Sequence, residues 1–171
     1  MSEIGDKIIE VGRLDPQFRQ EILAQPGGEH FMHCFSCGTC VAGCPVAGRT
    51  EKYNPRRIVR MALLGMRQEV LSSEFVWLCS TCYTCYERCP QDVHIPDLMN
   101  AIRNIAVREG HVPPAFRQQA ELLRDHGRLY EITDFENERR EEAGLPPIRE
   151  QALDVKRILV RRGVAEEAKE A

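Results

Sequence analysis

All eight cysteines of this 171-residue chain fall in two copies of one frame, C-x2-C-x2-C-x3-C-P. The first copy is CFSCGTCVAGCP, Cys34 to Pro45, and the second is CSTCYTCYERCP, Cys79 to Pro90. Each cysteine has a counterpart 45 residues on: 34 and 79, 37 and 82, 40 and 85, 44 and 89. Such a repeat fixes much of the architecture, because the backbone must wrap twice around whatever the thiolates hold.

The spacing is the bacterial ferredoxin run that binds [4Fe–4S] clusters. Three thiolates two residues apart reach three irons of one cubane. The fourth, three residues further and fixed by proline, points away and completes the other cluster. Two frames therefore make two [4Fe–4S] clusters and use every cysteine. The expected ligand sets are Cys34, Cys37, Cys40 and Cys89 for one cluster, and Cys79, Cys82, Cys85 and Cys44 for the other. Zinc also uses C-x2-C pairs, but four-coordinate zinc has no use for the third cysteine and the C-P. A [3Fe–4S] centre would need a missing cysteine, and none is missing. Disulfides need an oxidising compartment.

The remaining composition suits a cytoplasmic protein of about one domain with extensions. The N-terminal MSEIGDKIIEVGRLDPQ carries charges throughout and has no apolar core of a secretory signal. MALLGM at 61–66 is far short of a membrane span. The formal charge of −3 disfavours nucleic acid, which selects a basic face. Two oxidised cubanes with their thiolates, about −2 each, would take that charge to roughly −7. Arg49, Lys52, Arg56, Arg57 and Arg60 lie between the frames, to stabilise the reduced clusters, to dock an acidic partner, or as a solvated face.

Helical signals fill the chain, and no sustained period-2 alternation appears, so the expected fold is all-α. Residues 1–30 read as an N-terminal helical arm, with Asp15 capping a helix that starts at Pro16 and stops at Pro26-Gly27-Gly28. Residues 31–110 read as the dicluster domain. Within it, Asn54 caps a helix with Pro55 at its first position and Ile58, Met61, Ala62 and Leu64 on its apolar face. A second helix is expected from Ser72 or Ser73 into Cys79. A third carries Leu98, Ile102, Ile105 and Ala106 and stops at Gly110. Residues 111–171 read as a C-terminal helical extension for partner docking. It comprises Pro114 to His126 with Phe116, Ala120 and Leu123 on one face, a capping box Thr133-x-x-Glu136, and Asp154 to Arg162 with Val155, Ile158 and Leu159 together. Gly163 is expected to stop that last helix, and the VAEEAKEA end to fray.

Around the ligands, Gly38 and Gly43 permit close backbone approach. Thr39 and Thr84 sit at equivalent places, as hydroxyl donors to sulfur or as plain loop residues. Phe31, Phe35, Trp77, Tyr83 and Tyr86 are expected to shield the clusters from water. His33 is expected to be exposed, and His94, His111 and His126 fit no ligand or catalytic pattern. There is no phosphate loop, nucleophile elbow or histidine–carboxylate constellation, so no catalytic residue is expected. Two neighbouring one-electron centres in a helical scaffold make a relay.

The helical pair between the frames and the helix after the second C-P resemble the α-helical ferredoxin domain of succinate dehydrogenase and fumarate reductase iron–sulfur proteins. A closer likeness is to the C subunit of soluble heterodisulfide reductase. It is carried by CFSCGTCVAGCP, NPRRIVRMALLG, FVWLCSTCYTCYERCPQDVHIPDLMNAIRNIAVREG and the GLPP turn, and is most specific over about residues 31–110. The resemblance implies an electron-transfer role, standing between the flavin- and cluster-bearing A subunit of that family and its catalytic B subunit. A hydrogenase or dehydrogenase module would connect through the former. The catalytic partner carries CCG motifs for disulfide cleavage, which are absent here. Two other readings remain: the iron–sulfur relay of a membrane-linked quinone oxidoreductase, and a free dicluster ferredoxin.

Overall fold

The computed structural model describes residues 9–162. Among them there is no strand, and the chain divides into two compact units, Met1–His111 and Val112–Ala171.

The described part of the first unit is built from six helices and three 3-10 turns. Helix α1 is Phe18–Leu23. It starts two residues later than the Asp15-Pro16 signal suggests, because Asp15 Oδ1 accepts from the Gln17 N–H at 2.8 Å and shapes a turn there. Helix α2 (Thr39–Ala42) is a single turn inside the first cysteine frame. Helix α3 (Pro55–Leu63) follows the expected cap: Asn54 Oδ1 accepts from the Arg57 N–H at 3.0 Å. Gly65 then turns the chain with φ +76°, and a Cβ there would stand 2.4 Å from the Asp15 carbonyl oxygen. That close approach lets the Asp15 N–H donate to the Gly65 carbonyl at 2.8 Å, stitching the start of α1 to the end of α3.

Two expectations change here. Leu64 does not join the apolar face of α3 but stands 40% exposed, while Val59 is fully buried. The helix expected from Ser72 is also absent. Helix α4 instead runs over Arg67–Leu71, ends at Ser72, and is followed by a 3-10 turn at Glu74–Leu78. The physical reason is local: Cys79 must leave that turn extended, at φ −62° and ψ 120°, and a continuous helix would carry it away from the frame.

Helix α5 (Thr84–Glu87) is the second frame's single turn, and α6 (Ile95–Arg108) ends before Gly110 as its signals predict. Leu98, Ile102, Ile105 and Ala106 of α6 pack with Phe18, Ile22, Ile58, Ala62, Val70 and Leu71 in one core. Each fully buried Leu, Ile or Phe there contributes about 1.5–3 kcal/mol relative to leaving it in water. Arg67 closes the rim. Its guanidinium pairs with Glu21 at 2.5 Å, Asp15 at 3.4 Å and also Glu109, tying α1, α4 and α6 together.

The second unit contains helices α7 (Pro114–His126), α8 (Asp134–Glu142) and α9 (Leu153–Arg161). Gly127 ends α7 at φ +68°, and the capping box of α8 is present: the Thr133 N–H donates to Glu136 Oε2 at 2.7 Å. That hydrogen-bonding holds the Glu136 carboxyl below the ordinary carboxylate range. The expected apolar faces are only partly covered. Phe116, Ala120 and Ile158 are exposed, while Leu123, Val155 and Leu159 are half-buried. The expected stop at Gly163 and the VAEEAKEA end lie outside the described residues.

Candidate iron–sulfur site

Both cysteine frames adopt the same backbone path. Each is entered from a 3-10 turn, Phe31–His33 before Cys34 and Glu74–Leu78 before Cys79. Ser36 and its counterpart Thr81 both take positive φ, 63° and 49°; Gly38 and Tyr83 do so as well, at 89° and 60°. Each frame then makes its single helical turn, α2 or α5. The repeat in sequence is therefore a repeat in conformation.

The sulfur environments match too. Thr39 Oγ1 lies 3.3 Å from Cys37 Sγ, and Thr84 Oγ1 lies 3.6 Å from Cys82 Sγ. Both hydroxyls therefore stand beside a frame sulfur. The Ala47 N–H donates to Cys44 Sγ at 3.4 Å, and the Val93 N–H donates to Cys89 Sγ at 3.2 Å. Donors aimed at thiolate sulfur stabilise its negative charge and are a lever on cluster potential.

Electrostatics separates the thiols by position in the frame. Cys37 and Cys82 are exposed, and the adjacent threonine holds each thiol below its ordinary pKa. Burial pushes Cys40 up to about 11, with the charges of Cys34, Cys37 and Cys89 adding to it. Burial likewise pushes Cys85 up to about 12, aided by Cys79, Cys40 and Cys44. Thiolates crowded in this way need a cation among them, which iron supplies.

Tyr53 is a functional neighbour that the sequence does not disclose. It is 3% exposed. Burial, and then a hydrogen bond to Cys79, raise its hydroxyl far above the ordinary value. No spacing rule connects an aromatic residue before Asn54-Pro55 with a cysteine 26 positions later.

Where the first frame has Gly38 and Gly43, the second has Tyr83 and Arg88. A Cβ on Gly43 would stand 3.1 Å from Arg88 Nη1 and 3.4 Å from Thr84 Cγ2. The missing side chain is the space into which the second frame packs, as close approach at Gly43 predicts. The aromatic shield is incomplete: Phe31 is buried and Trp77 and Tyr86 are half-buried, but Phe35 is 61% and Tyr83 44% exposed. Arg103 braces the entry to the second frame, donating to the Val76 and Cys79 carbonyls at 3.0 Å each and lying 5.8 Å over the Trp77 ring.

His33 is exposed, as expected. His94 is less isolated than its sequence context suggests. Its Nε2 lies 3.0 Å from Asp92 Oδ1, and its ring stacks on that of His30 at 4.3 Å. His30 Nδ1 in turn lies 3.8 Å from Asp92 Oδ2. This group pins the turn before the first frame to the loop after the second. His111 lies beside Glu109, and His126 beside Glu131.

The thiol-only ligand set, with N–H donors and hydroxyls beside the sulfurs, fits iron–sulfur ligation. The comparisons with known proteins agree. A family model described as "4Fe-4S dicluster domain" matches residues 30–93. The chain is 38% identical to the C subunit of the H2:CoB–CoM heterodisulfide,ferredoxin reductase of Methanothermobacter thermautotrophicus, over 85% of this chain and 80% of that one. It is 38% identical to the iron–sulfur C subunit of the CoB–CoM heterodisulfide reductase of Methanopyrus kandleri, over 94% and 90%. With the C subunit of the ferredoxin:CoB–CoM heterodisulfide reductase of Methanosarcina mazei it shares 42% over 75% and 78%. The chain belongs to the family of heterodisulfide reductase C subunits. It is thereby an iron–sulfur electron-transfer component of an oxidoreductase complex. Among the described residues of this family member, no helix is long and apolar enough to cross a membrane.

Proposed function

We propose that the chain is a two-centre electron relay in a heterodisulfide reductase-like complex. It stands between the flavin- and cluster-bearing A subunit and the catalytic B subunit, which reduces a disulfide. Its ligand sets would be Cys34, Cys37, Cys40 and Cys89 for one [4Fe–4S] cluster, and Cys79, Cys82, Cys85 and Cys44 for the other. The observation that carries this reading is the pattern of charges at two half-buried thiols. Cys34, Cys37 and Cys89 bear on Cys40, whereas Cys79 and Cys44 bear on Cys85. Crossed sets, in which each frame lends its fourth cysteine to the other, would account for that pattern. Cys40 also bears on Cys85, as expected where the two sets adjoin.

When bound, each cluster supplies a one-electron centre. The chain's own residues set the conditions around it. Ala47 and Val93 offer N–H groups to the crossing sulfurs, and Thr39 and Thr84 stand beside the exposed ones. Cys37 and Cys82 lie at the surface, where a partner's centre can approach within electron-transfer reach. The dicluster domain of this reading spans residues 31–110, and the extension 111–171 is its docking arm. Phe116, Leu129, Tyr130, Phe135, Leu145 and Ile158 stand more than a third exposed there, an apolar surface suited to a partner protein.

Anaerobic purification of the complex tests the reading. The expected result is about eight irons per chain, with flavin-bearing and CCG-bearing subunits copurifying. About four irons, or stoichiometric zinc, would refute the paired clusters. Copurification with a membrane anchor alone would move the chain to the quinone-linked class, and a monodisperse monomer would make it a free carrier.

A further inference from the structure

A groove of about 740 Å³ runs between the first cysteine frame and α3. Cys34, Phe35 and Ser36 form one wall, Arg56, Arg57 and Arg60 the other, and Met61 and Met66 lie in its floor. Its apolar rim is exposed: Phe35 is 61%, Ile9 51% and Leu64 40% exposed. The hydroxyl of Ser36 is buried without a hydrogen-bond partner among the described residues.

Among the described residues, none of Arg56, Arg57 and Arg60 has a carboxylate within ion-pair distance, although the chain carries 26 acidic residues against 23 basic ones. Arg67, four residues beyond the end of these arginines' helix, shows the contrast, with three carboxylates around it. Three neighbouring guanidiniums repel one another, and filling the site with anions removes that cost while their planar donor forks match carboxylates. Arg56 reaches over Gly38, with Nη1 3.7 Å from where a Cβ would stand, so the positive wall extends to the edge of the first frame.

We propose that this groove seats an acidic segment of a partner protein, with one apolar anchor side chain held against Phe35, Leu64 and the two methionines. The proposal rests on the relay reading and names the place where electrons cross at the first frame. A segment seated there would cover the Cys34 edge and exclude water from it. Apolar anchoring provides hold, and the arginines provide steering and orientation. A trough with exposed Phe35 and Leu64 at its rim, two buried methionines beneath and, among the described residues, a basic wall without carboxylate partners suits a contact that forms and separates, rather than a permanent core.

The test uses the full iron-loaded chain and the proteins that copurify with it, under anaerobic conditions. The variant Arg56→Glu, Arg57→Glu, Arg60→Glu is compared with a charge-matched control, Arg13→Glu, Arg19→Glu, Arg108→Glu, whose residues lie outside the groove. Iron content and cluster spectra of each variant alone establish folding. The groove variant is expected to weaken partner binding by at least about 50-fold, and Phe35→Ala by about tenfold, in the range of interface hot spots. The control should change it less than about threefold, as rim charges do. Raising salt should weaken the wild type and leave the groove variant nearly flat. Equal binding by both triple variants would overturn the groove while leaving the relay intact. A wild-type chain that binds no partner would instead remove the relay reading itself. Protection of residues 54–66 that is already present in the free chain and vanishes on deleting residues 2–8 would assign the groove to the chain's own N-terminus and overturn the proposal. So would a dimer of the free chain that the groove variant dissolves.

Discussion

The two cysteine frames share a backbone and differ in what stands on it. Position for position, Gly38 and Gly43 of the first are Tyr83 and Arg88 of the second. Glycine takes the left-handed conformation at Gly38 without cost, whereas a bulky residue there costs about 1–2 kcal/mol. Tyr83 accepts that cost at φ 60°, and its ring meets Tyr86 at 6.0 Å and its hydroxyl Asp97 at 3.5 Å. Arg88 fills the hollow that Gly43 leaves. A duplicated loop can hold two similar centres side by side only if one copy gives up its side chains where the other needs the room. The symmetry of the ligands survives because the symmetry of the packing does not.

Making the frames alike should break the molecule in one direction only. Gly43→Arg places a second long cation where Arg88 Nη1 and Thr84 already lie within 3.1–3.4 Å of a Cβ. Loss of most bound iron is the expected outcome, read by metal analysis after anaerobic purification. Arg88→Gly, by contrast, should keep its iron and lose only a small amount of stability. Equal loading of both variants would mean that the asymmetry is incidental.

The thiols of the cluster-free, reduced chain offer a kinetic version of the comparison. At pH 8, Cys40, pushed up to about 11, and Cys85, pushed up to about 12, are overwhelmingly protonated. Cys37 and Cys82 lie below the ordinary thiol value and are exposed. Alkylation followed by mass spectrometry should label 37 and 82 first, and 40 and 85 at least about a hundredfold more slowly, even after allowing for intrinsic nucleophilicity. The raised groups also set a stability sign. A thiol whose folded pKa lies above its unfolded one stabilises the fold below about pH 9, and that contribution is lost as pH climbs towards 11 and 12. The cluster-free chain should therefore melt at a lower temperature at pH 10 than at pH 8.

Smaller effects should separate the frames by their neighbours. Tyr53→Phe removes the hydroxyl that bonds Cys79 and should lower the potential of the second-frame centre alone. Thr39→Val and Thr84→Val remove matching hydroxyls, so each should lower its own frame's potential, by similar amounts. Redox titration followed by electron paramagnetic resonance reads both. A Tyr53→Phe shift of both centres would show that the two frames are not separately tuned.

How much of this the chain discloses depends on the range of the cause. Local causes are legible: Asn54-Pro55 opens α3, Thr133-x-x-Glu136 opens α8, and Gly110 and Gly127 follow the ends of α6 and α7. The cysteine frame itself is the strongest signal, since its spacing is dictated by the geometry of a cubane. Helix α4 is hidden because the turn at Gly65 exists to meet the Asp15 backbone 50 residues upstream. Leu64 reads as core by periodicity but faces the groove beside the first frame. Arg67 and Tyr53 act on residues 26 to 52 positions away, and His30 finds His94 and Asp92 only once the two frames come together. Tyr83 holds a conformation that composition would reserve for glycine, and nothing in STCYTCYER marks it.

The crossing of the fourth cysteines is the central claim, and a single substitution tests it. Cys44 belongs to the first frame by sequence and to the second centre by the crossed ligand sets. Anaerobically purified Cys44→Ala should retain the spectrum of the centre held by Cys34, Cys37 and Cys40, and should lose or degrade the one held by Cys79, Cys82 and Cys85. Damage confined to the first frame's own centre would contradict the crossing.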